Sequence, residues 1–395
     1  MTQFEAQKVI EALRSGIPSR TVGQYFSGTR TKIVSSITAQ LESTCEGNSS
    51  GMILTGKYGE GKTHMLNTVF NLAHSRNMVV SMIPLSKESP YDKLHFIYKK
   101  LMANTYLPNR QQPGFMQQFE ERLQDSIFAS DLILYASADL KCNKLSYLMK
   151  AFIKEKDEEV KHKLRSDLLG DFVANADLKK IYKAQCHETL KFNENFAKTK
   201  HIMDYFSFMS YVFTKLGYAG WVILIDEAEL IGRAGKKPRL NAYANMSSFL
   251  NPSRSLHSIF TLYAFTASYA DDVIDSKHDF ENLEEVYPDD PMGIKGVLNA
   301  IIKAPQLQPL TKDEIHSVFE TMIDLHAEAY QWKPEITADQ LQKMTDSSGF
   351  LLRTKLRSAI ETLDQLYQYG EAGNIRTGTL TSESYEEDIP DISEA

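Results

Sequence analysis

The chain alternates between short apolar runs and longer stretches with helical spacing. Gln3 to Arg14 predicts an amphipathic helix with Phe4, Val9, Ile10 and Leu13 on one side, broken by Gly16-Ile17-Pro18. A second helix is expected from about Thr29 to Glu42, where Ile33, Ile37 and Leu41 recur every fourth position. Met52-Ile53-Leu54-Thr55 and Val79 to Ile83 read as short buried strands, with a helix from about Lys62 to Ser75 between them. Ser89 to Leu216 is mostly helical in period, and its charge-dense stretch Lys154 to Arg165 predicts a solvated helix face. Trp221-Val222-Ile223-Leu224-Ile225 is continuously apolar and β-branched, as a central parallel strand covered on both faces requires. Leu262 to Thr266 is a further strand, and Pro288 to Pro291 reads as a linker. Thr311-Lys312-Asp313-Glu314 is a capping box that opens a helix to about His326, and Thr337 and Gly349 precede two more helices. The pattern predicts an α/β core followed by a small all-helical domain.

Composition changes this picture little. Hydrophobic residues make up 42% and charged residues 24%, which fits a folded globular chain and excludes a fibrous or wholly disordered one. The apolar runs are too short to span a bilayer, and the N-terminus has no secretory pattern. Three scattered cysteines make neither a disulfide framework nor a zinc pattern, so a cytoplasmic protein is expected. Charge says more once the end of the chain is set aside. Ser382 to Ala395 carries six carboxylates and no basic residue, and without them the formal −7 becomes −1. The tail is expected to be disordered, and any DNA contact would need a local basic patch.

The candidate chemistry centres on Gly56-Lys57-Tyr58-Gly59-Glu60-Gly61-Lys62-Thr63, which fits G-x-x-x-x-G-K-[ST] between a predicted strand and a predicted helix. Glycines let backbone amides converge on phosphates, and the helix adds the positive end of its dipole. Lys62 is expected to reach the β- and γ-phosphates of ATP, and the Thr63 hydroxyl to bind Mg²⁺. Asp226 and Glu227 end the most apolar strand. Asp226 is assigned to Mg²⁺ and Glu227 to the water that attacks the γ-phosphate, a pairing that favours hydrolysis over transfer to another acceptor. Thr266, or next Ser268, ends a neighbouring strand and would sense the γ-phosphate. Arg353 would do so from the C-terminal helices, with Arg357 one turn later on the same face. Asp226-Glu227-Ala228-Glu229 is superficially helicase-like, but no arginine-rich motif of a second motor domain follows. Arg233-Ala234-Gly235-Lys236-Lys237-Pro238-Arg239 is expected to be a loop that offers an arginine finger or contacts a phosphate backbone. Arg254 is another finger candidate.

The segment Glu11 to Arg20 and the run Gly56 to His64 together resemble the bacterial phage-exclusion (BREX-type) ATP-binding proteins. The resemblance spans most of residues 5–90 and 215–270, and is weaker from Gly349 to Asp364. That family is similar to the origin-recognition branch of AAA+ ATPases. It implies a P-loop NTPase αβα core with a helical lid, ATP bound between them, and His64 within the nucleotide-binding run. Lys62, Thr63, Asp226 and Glu227 carry over, with Arg353 as a sensor. The expected organisation is helices at 1–50, a core at 51–287 with a helical insertion at about 89–216, a helical lid at 288–380 and a tail at 381–395. The expected role is an Mg²⁺-dependent ATPase switch in antiviral defence, as a homo-oligomer with other defence proteins, and DNA is a further candidate partner. The alternative is a nucleotide-gated DNA-binding module or loader in which hydrolysis is incidental.

Overall fold

A computed structural model describes residues 2–16, 19–26, 28–253, 256–345 and 352–371. Arg254, Gly349 to Leu351 and the acidic tail lie outside the described residues. In chain order the chain forms helices α1 (Gln3–Ser15), α2 (Arg20–Tyr25) and α3 (Thr31–Cys45), strand β1 (Ser50–Gly56), α4 (Lys62–Ser75) and β2 (Val79–Pro84). The helical stretch follows as α5 (Leu94–Ala103), the short β3 (Thr105–Tyr106), α6 (Met116–Arg122), α7 (Ser126–Ala138), α8 (Lys144–Lys154), α9 (Glu158–Leu168), α10 (Asn175–Cys186) and α11 (Lys198–Lys215). Then come β4 (Trp221–Asp226), α12 (Lys236–Leu250), β5 (Ile259–Thr266), α13 (Asp279–Val286), α14 (Ile294–Ile302), α15 (Lys312–Tyr330), α16 (Ala338–Thr345) and α17 (Leu352–Tyr369). The chain divides into two compact units. One comprises the described residues of 1–33, 56–71 and 306–395, and the other those of 34–55 and 72–305.

The second unit carries the sheet, in the order β1-β5-β4-β2-β3. β4 is parallel to both β2 and β5, while the two-residue β3 runs antiparallel at the edge. Every residue of β4 is buried, as its unbroken apolar run requires of a strand covered on both faces. Trp221 anchors the packing, with its ring stacked on Phe206 at 5.8 Å and edge-on to Phe213 at 5.5 Å. Its indole N–H donates to Ser81 Oγ at 2.8 Å, so the polar atom of this buried ring is satisfied.

Helices α5 to α11 belong to the same hydrophobic core as the sheet. The charged stretch 154–165 is not one helix face. The Glu155 carboxylate is mostly buried and accepts from the Lys156 and Asp157 amides at 2.9 and 3.0 Å, which ends α8. Asp157 then caps α9 through the amides of Glu159 and Val160. Pro288 to Pro291 forms a turn within this unit, where both Asp290 carboxylate oxygens accept amides from the first turn of α14.

In the first unit, α1 and α2 share a hydrophobic core with α15, α16 and α17. Thr2 and Thr311 each close a complete capping box. On α1 the buried side is Ala6, Val9, Ile10 and Leu13, whereas Phe4 is 64% exposed. Phe4 falls about half a turn away from Leu13 at 100° per residue, so Ala6 takes its place on the core side. The Phe4 ring instead lies beneath the Lys8 ammonium at 4.3 Å. The six-residue α2, capped by Ser19, is too short for its periodicity to show in the sequence. Among the described residues, no helix is long and apolar enough to cross a membrane.

Candidate nucleotide site

β1 ends at Gly56, the loop turns, and α4 begins at Lys62. Gly61 has φ +90°, a left-handed conformation that glycine adopts without strain. At Gly56 an added Cβ would lie 3.2 Å from Lys62 Cγ, so glycine lets the lysine stem pass over the strand end. The Lys62 ammonium donates to the Gly56 carbonyl at 3.1 Å. The Lys57 amide donates to the Glu60 carboxylate at 2.9 Å, and the Glu60 amide to the Lys57 carbonyl at 3.3 Å. No acidic residue stands in the first turn of α4. The positive end of its dipole therefore meets an anion without competition from a carboxylate of that turn. The loop, the lysine and the helix start fit a triphosphate. The hydroxyl of Thr63 and the carboxylate of Asp226 are hard oxygen donors of the kind Mg²⁺ takes.

Arg353 stands beside the loop, and His64 lies in the first turn of the helix that follows it. Arg353 places its guanidinium 5.7 Å from the centre of the Tyr58 ring, so the C-terminal helices do reach the phosphate loop. Arg357 follows one turn later, with its Nε buried and without a hydrogen-bond partner among the described residues. His64 turns its ring toward the Phe26 carbonyl at 3.4 Å. Burial, more than the nearby Arg30 charge, holds its pKa below the usual imidazole value.

Arg30 escapes the sequence reading altogether. It is nearly buried, has φ +53°, and ties three segments together. Its guanidinium donates to the Glu60 carbonyl at 2.6 Å and to the Gln308 carbonyl at 3.1 Å, and its amide donates to Glu314 at 2.6 Å. Glu314 is also the acidic member of the capping box of α15. Arginine is needed here because its planar fork serves two carbonyls at once. The sequence signal is a single basic residue before α3, which no local pattern separates from a surface arginine.

The acidic residues belong to the second unit. Asp226 is the last residue of β4, only 7% exposed, and pairs with Pro84 of β2. Its carboxylate accepts the Glu227 amide at 2.9 Å, and its carbonyl accepts the Leu85 amide at 3.0 Å. Glu227 is exposed and has φ +53°, a left-handed turn that stops the strand and starts the 3₁₀ turn Ala228–Arg233. Thr266 ends β5, the parallel neighbour of β4. Ser268 is exposed, and its carbonyl accepts the Asp272 amide at 2.8 Å. Asp226, Glu227 and Thr266 therefore stand at the carboxyl ends of adjacent strands, where ligands of open α/β sheets bind.

The basic segment 233–239 is not one loop. Arg233 ends the 3₁₀ turn and is exposed, Lys236 opens α12, and Pro238 sits in its first turn. Arg239 is not available as a finger or a phosphate contact. It is 3% exposed and grips Asp279 of α13 through Nε at 2.9 Å and a terminal nitrogen at 2.6 Å. Tyr243 donates to the other oxygen of Asp279 at 2.9 Å and meets Tyr269 at 2.8 Å. A partner forty positions away in sequence is invisible to local reading.

The model of one family, the BREX system ATP-binding protein BrxC/D, matches residues 1–132 and 145–376. A comparison with curated proteins found no match. Among solved structures, the Walker-type ATPase PABY2304 of Pyrococcus abyssi is similar at 11% identity, over 85% of this chain and 67% of that one, with a TM-score of 0.35. A phosphate loop set between strand and helix, an acidic strand end and a family match across nearly the whole length agree: the chain belongs to the BREX system ATP-binding protein BrxC/D family.

Proposed function

We propose that this protein is an Mg²⁺-dependent ATPase of the AAA+ type that uses ATP binding and hydrolysis as an assembly or remodelling switch in phage defence. The observation that carries the reading is the complete Gly56–Thr63 loop at the start of α4, with Lys62 folded over the strand end. In this reading the loop amides and Lys62 hold the β- and γ-phosphates, and Thr63 and Asp226 hold the ion. Bound Mg²⁺ neutralises charge on the phosphate oxygens. Glu227 takes a proton from water as the water oxygen bonds to the γ-phosphorus and the bond to the bridging oxygen breaks. Thr266 orients that water, and Arg353 reports the γ-phosphate to the C-terminal helices. The acting form is a homo-oligomer with other defence proteins, and the exposed Arg233, Lys236 and Lys237 are its candidate DNA contacts.

Steady-state turnover of E227Q tests the assignment. The expected result is a loss of about 100-fold or more with ATP uptake retained, the scale of a missing general base. Undiminished turnover removes the role given to Glu227. An inert E227Q that still protects cells makes hydrolysis incidental and leaves a nucleotide-gated module.

A further inference from the structure

The helical stretch is a basic island in an acidic chain. Residues 89–216 carry 20 Lys and Arg against 16 Asp and Glu, whereas the whole chain has a formal charge of −7. Some of these lysines are spent on carboxylates, as Lys144 is on the buried Asp167 at 2.6 Å and Lys163 on Asp177 at 3.2 Å. Lys141, Lys150, Lys179 and Lys191 are not, and none of them makes an ion pair among the described residues. Lys141, Lys179 and Lys191 are exposed, and Lys150 is half-buried.

These four stand on one built platform, where α8 packs on α10. The Lys150 ammonium lies 5.5 Å from the centre of the Tyr147 ring, and the Lys179 ammonium 5.5 Å from the centre of the Phe192 ring. The two rings meet edge to face at 6.1 Å. They hold the lysine stems against apolar surface and leave the charged heads to water. Asn143 and Asn193 fix the backbone beside them, because the amide of each donates to the side-chain oxygen of the other, at 3.1 and 3.2 Å. The Asn193 side chain also donates to the Lys141 carbonyl at 2.9 Å, and the Tyr147 hydroxyl donates to the Lys191 carbonyl at 3.1 Å. The carboxylates of the neighbouring segments are engaged elsewhere. Glu188 accepts the Tyr182 hydroxyl at 3.0 Å, Glu194 takes Lys200 and His201, and Asp204 accepts the Lys141 and Cys142 amides at 3.2 and 2.9 Å.

We propose that this face of α8 and α10 is a nucleic-acid interface that grips the phosphate backbone without reading sequence. Lysines without carboxylate partners keep their charge for an outside anion. Lysine is depleted at protein–protein interfaces, whereas phosphate backbones are bound through such point charges. Asn143 and Asn193, whose side chains could read base edges, are spent on each other and on the Lys141 carbonyl. The family match skips residues 133–144, so the turn that carries Lys141 is particular to this chain. The inference rests on the reading of nucleic acid as a partner, not on hydrolysis, and it places the contact at a different part of the chain from Arg233, Lys236 and Lys237.

The test is fluorescence anisotropy with a labelled duplex DNA of mixed sequence over a salt series. K141Q/K150Q/K179Q/K191Q keeps most of each stem and removes the charges. It is expected to weaken binding at low salt by about tenfold or more, and to lower the slope of log affinity against log salt by about three to four. K295Q/K303Q/K312Q/K333Q removes the same charge from exposed lysines outside the helical stretch, and is expected to keep the wild-type slope. Equal losses in the two variants overturn the proposal, as does a wild-type slope in the first. If the first variant does not fold, K141Q/K191Q is expected to lower the slope by about two, and an unchanged slope overturns the proposal. A loss confined to R233A/K236A/K237A overturns the platform alone and leaves nucleic acid at that segment. A wild type that binds no duplex at low salt overturns both. A polyglutamate probe released by the first variant while duplex affinity is kept assigns the face to an acidic polypeptide and overturns the proposal.

Discussion

Two cations hold the phosphate loop, and they differ in kind. Lys62 is a point charge on a flexible stem folded onto Gly56, free to exchange that carbonyl for a phosphate. Arg30 is fixed by three partners, and burial, the largest influence on it, opposes its charge while Glu60 and Glu314 support it. K62A is expected to abolish ATP uptake in calorimetry without lowering the melting temperature. R30A is expected to do the opposite first. It leaves the Glu60 and Gln308 carbonyls without their donor and costs about 1.5–3 kcal/mol of stability by chemical denaturation. R30K restores little of this, because an ammonium lacks the fork that serves both carbonyls. A charge-only role for Arg30 would instead let R30K behave as the wild type.

Between elements, partly or fully buried polar groups do the fastening. Arg14 of α1 grips Asp364 of α17 through Nε at 2.9 Å and a terminal nitrogen at 2.7 Å. The same carboxylate takes His326 Nε2 at 3.0 Å, while His326 Nδ1 accepts the Trp332 indole N–H at 2.9 Å. Burial alone would raise the pKa of Asp364, but the hydrogen bonds from His326 and Arg14 outweigh it and the net direction is down. A carboxylate depressed in the folded state contributes stability above its unfolded pKa of about 3.9, and that contribution fades as pH falls through the folded value. Wild-type stability is therefore expected to drop on acidification below about pH 4. D364N should be less stable at neutral pH and show a shallower acid slope in melting curves. If the two acid slopes are equal, Asp364 contributes nothing to the acid sensitivity.

The Arg239–Asp279 pair ties α12 to α13 in the same manner. Removing one partner strands a buried charge at a cost of about 3–5 kcal/mol. R239M and D279N are each expected to show such a loss in urea unfolding, and the double variant R239M/D279L a smaller loss than their sum. Additive losses would mean that the two side chains do not act as a pair.

For the whole molecule, ligand linkage gives the broadest test. A nucleotide that binds only the folded chain stabilises it by about 2.7 kcal/mol at 100 times its Kd. ATP with Mg²⁺ is expected to raise the melting temperature of the wild type and leave that of K62A unmoved. If Arg233, Lys236 and Lys237 contact a phosphate backbone, DNA affinity falls steeply with salt, and replacing all three by alanine flattens that slope. Arg239 is left out of that experiment because its charge is spent on Asp279.

The sequence alone determined what is local. Strand, loop and helix around the phosphate loop follow from an apolar run, three glycines and a helical period within thirty residues, and α4 begins and ends at the residues its pattern predicts. The acidic end of β4 is legible for the same reason, because a continuous apolar strand must stop where its first carboxylates appear. Tertiary structure decided what depends on distant partners. It turned Arg239 inward onto Asp279, set Arg30 between Glu60 and Gln308, and moved Phe4 out of the core in favour of Ala6. A charged side chain looks the same in sequence whether water or a buried carboxylate receives it. Which of the two it meets is set by chain segments that come together only on folding.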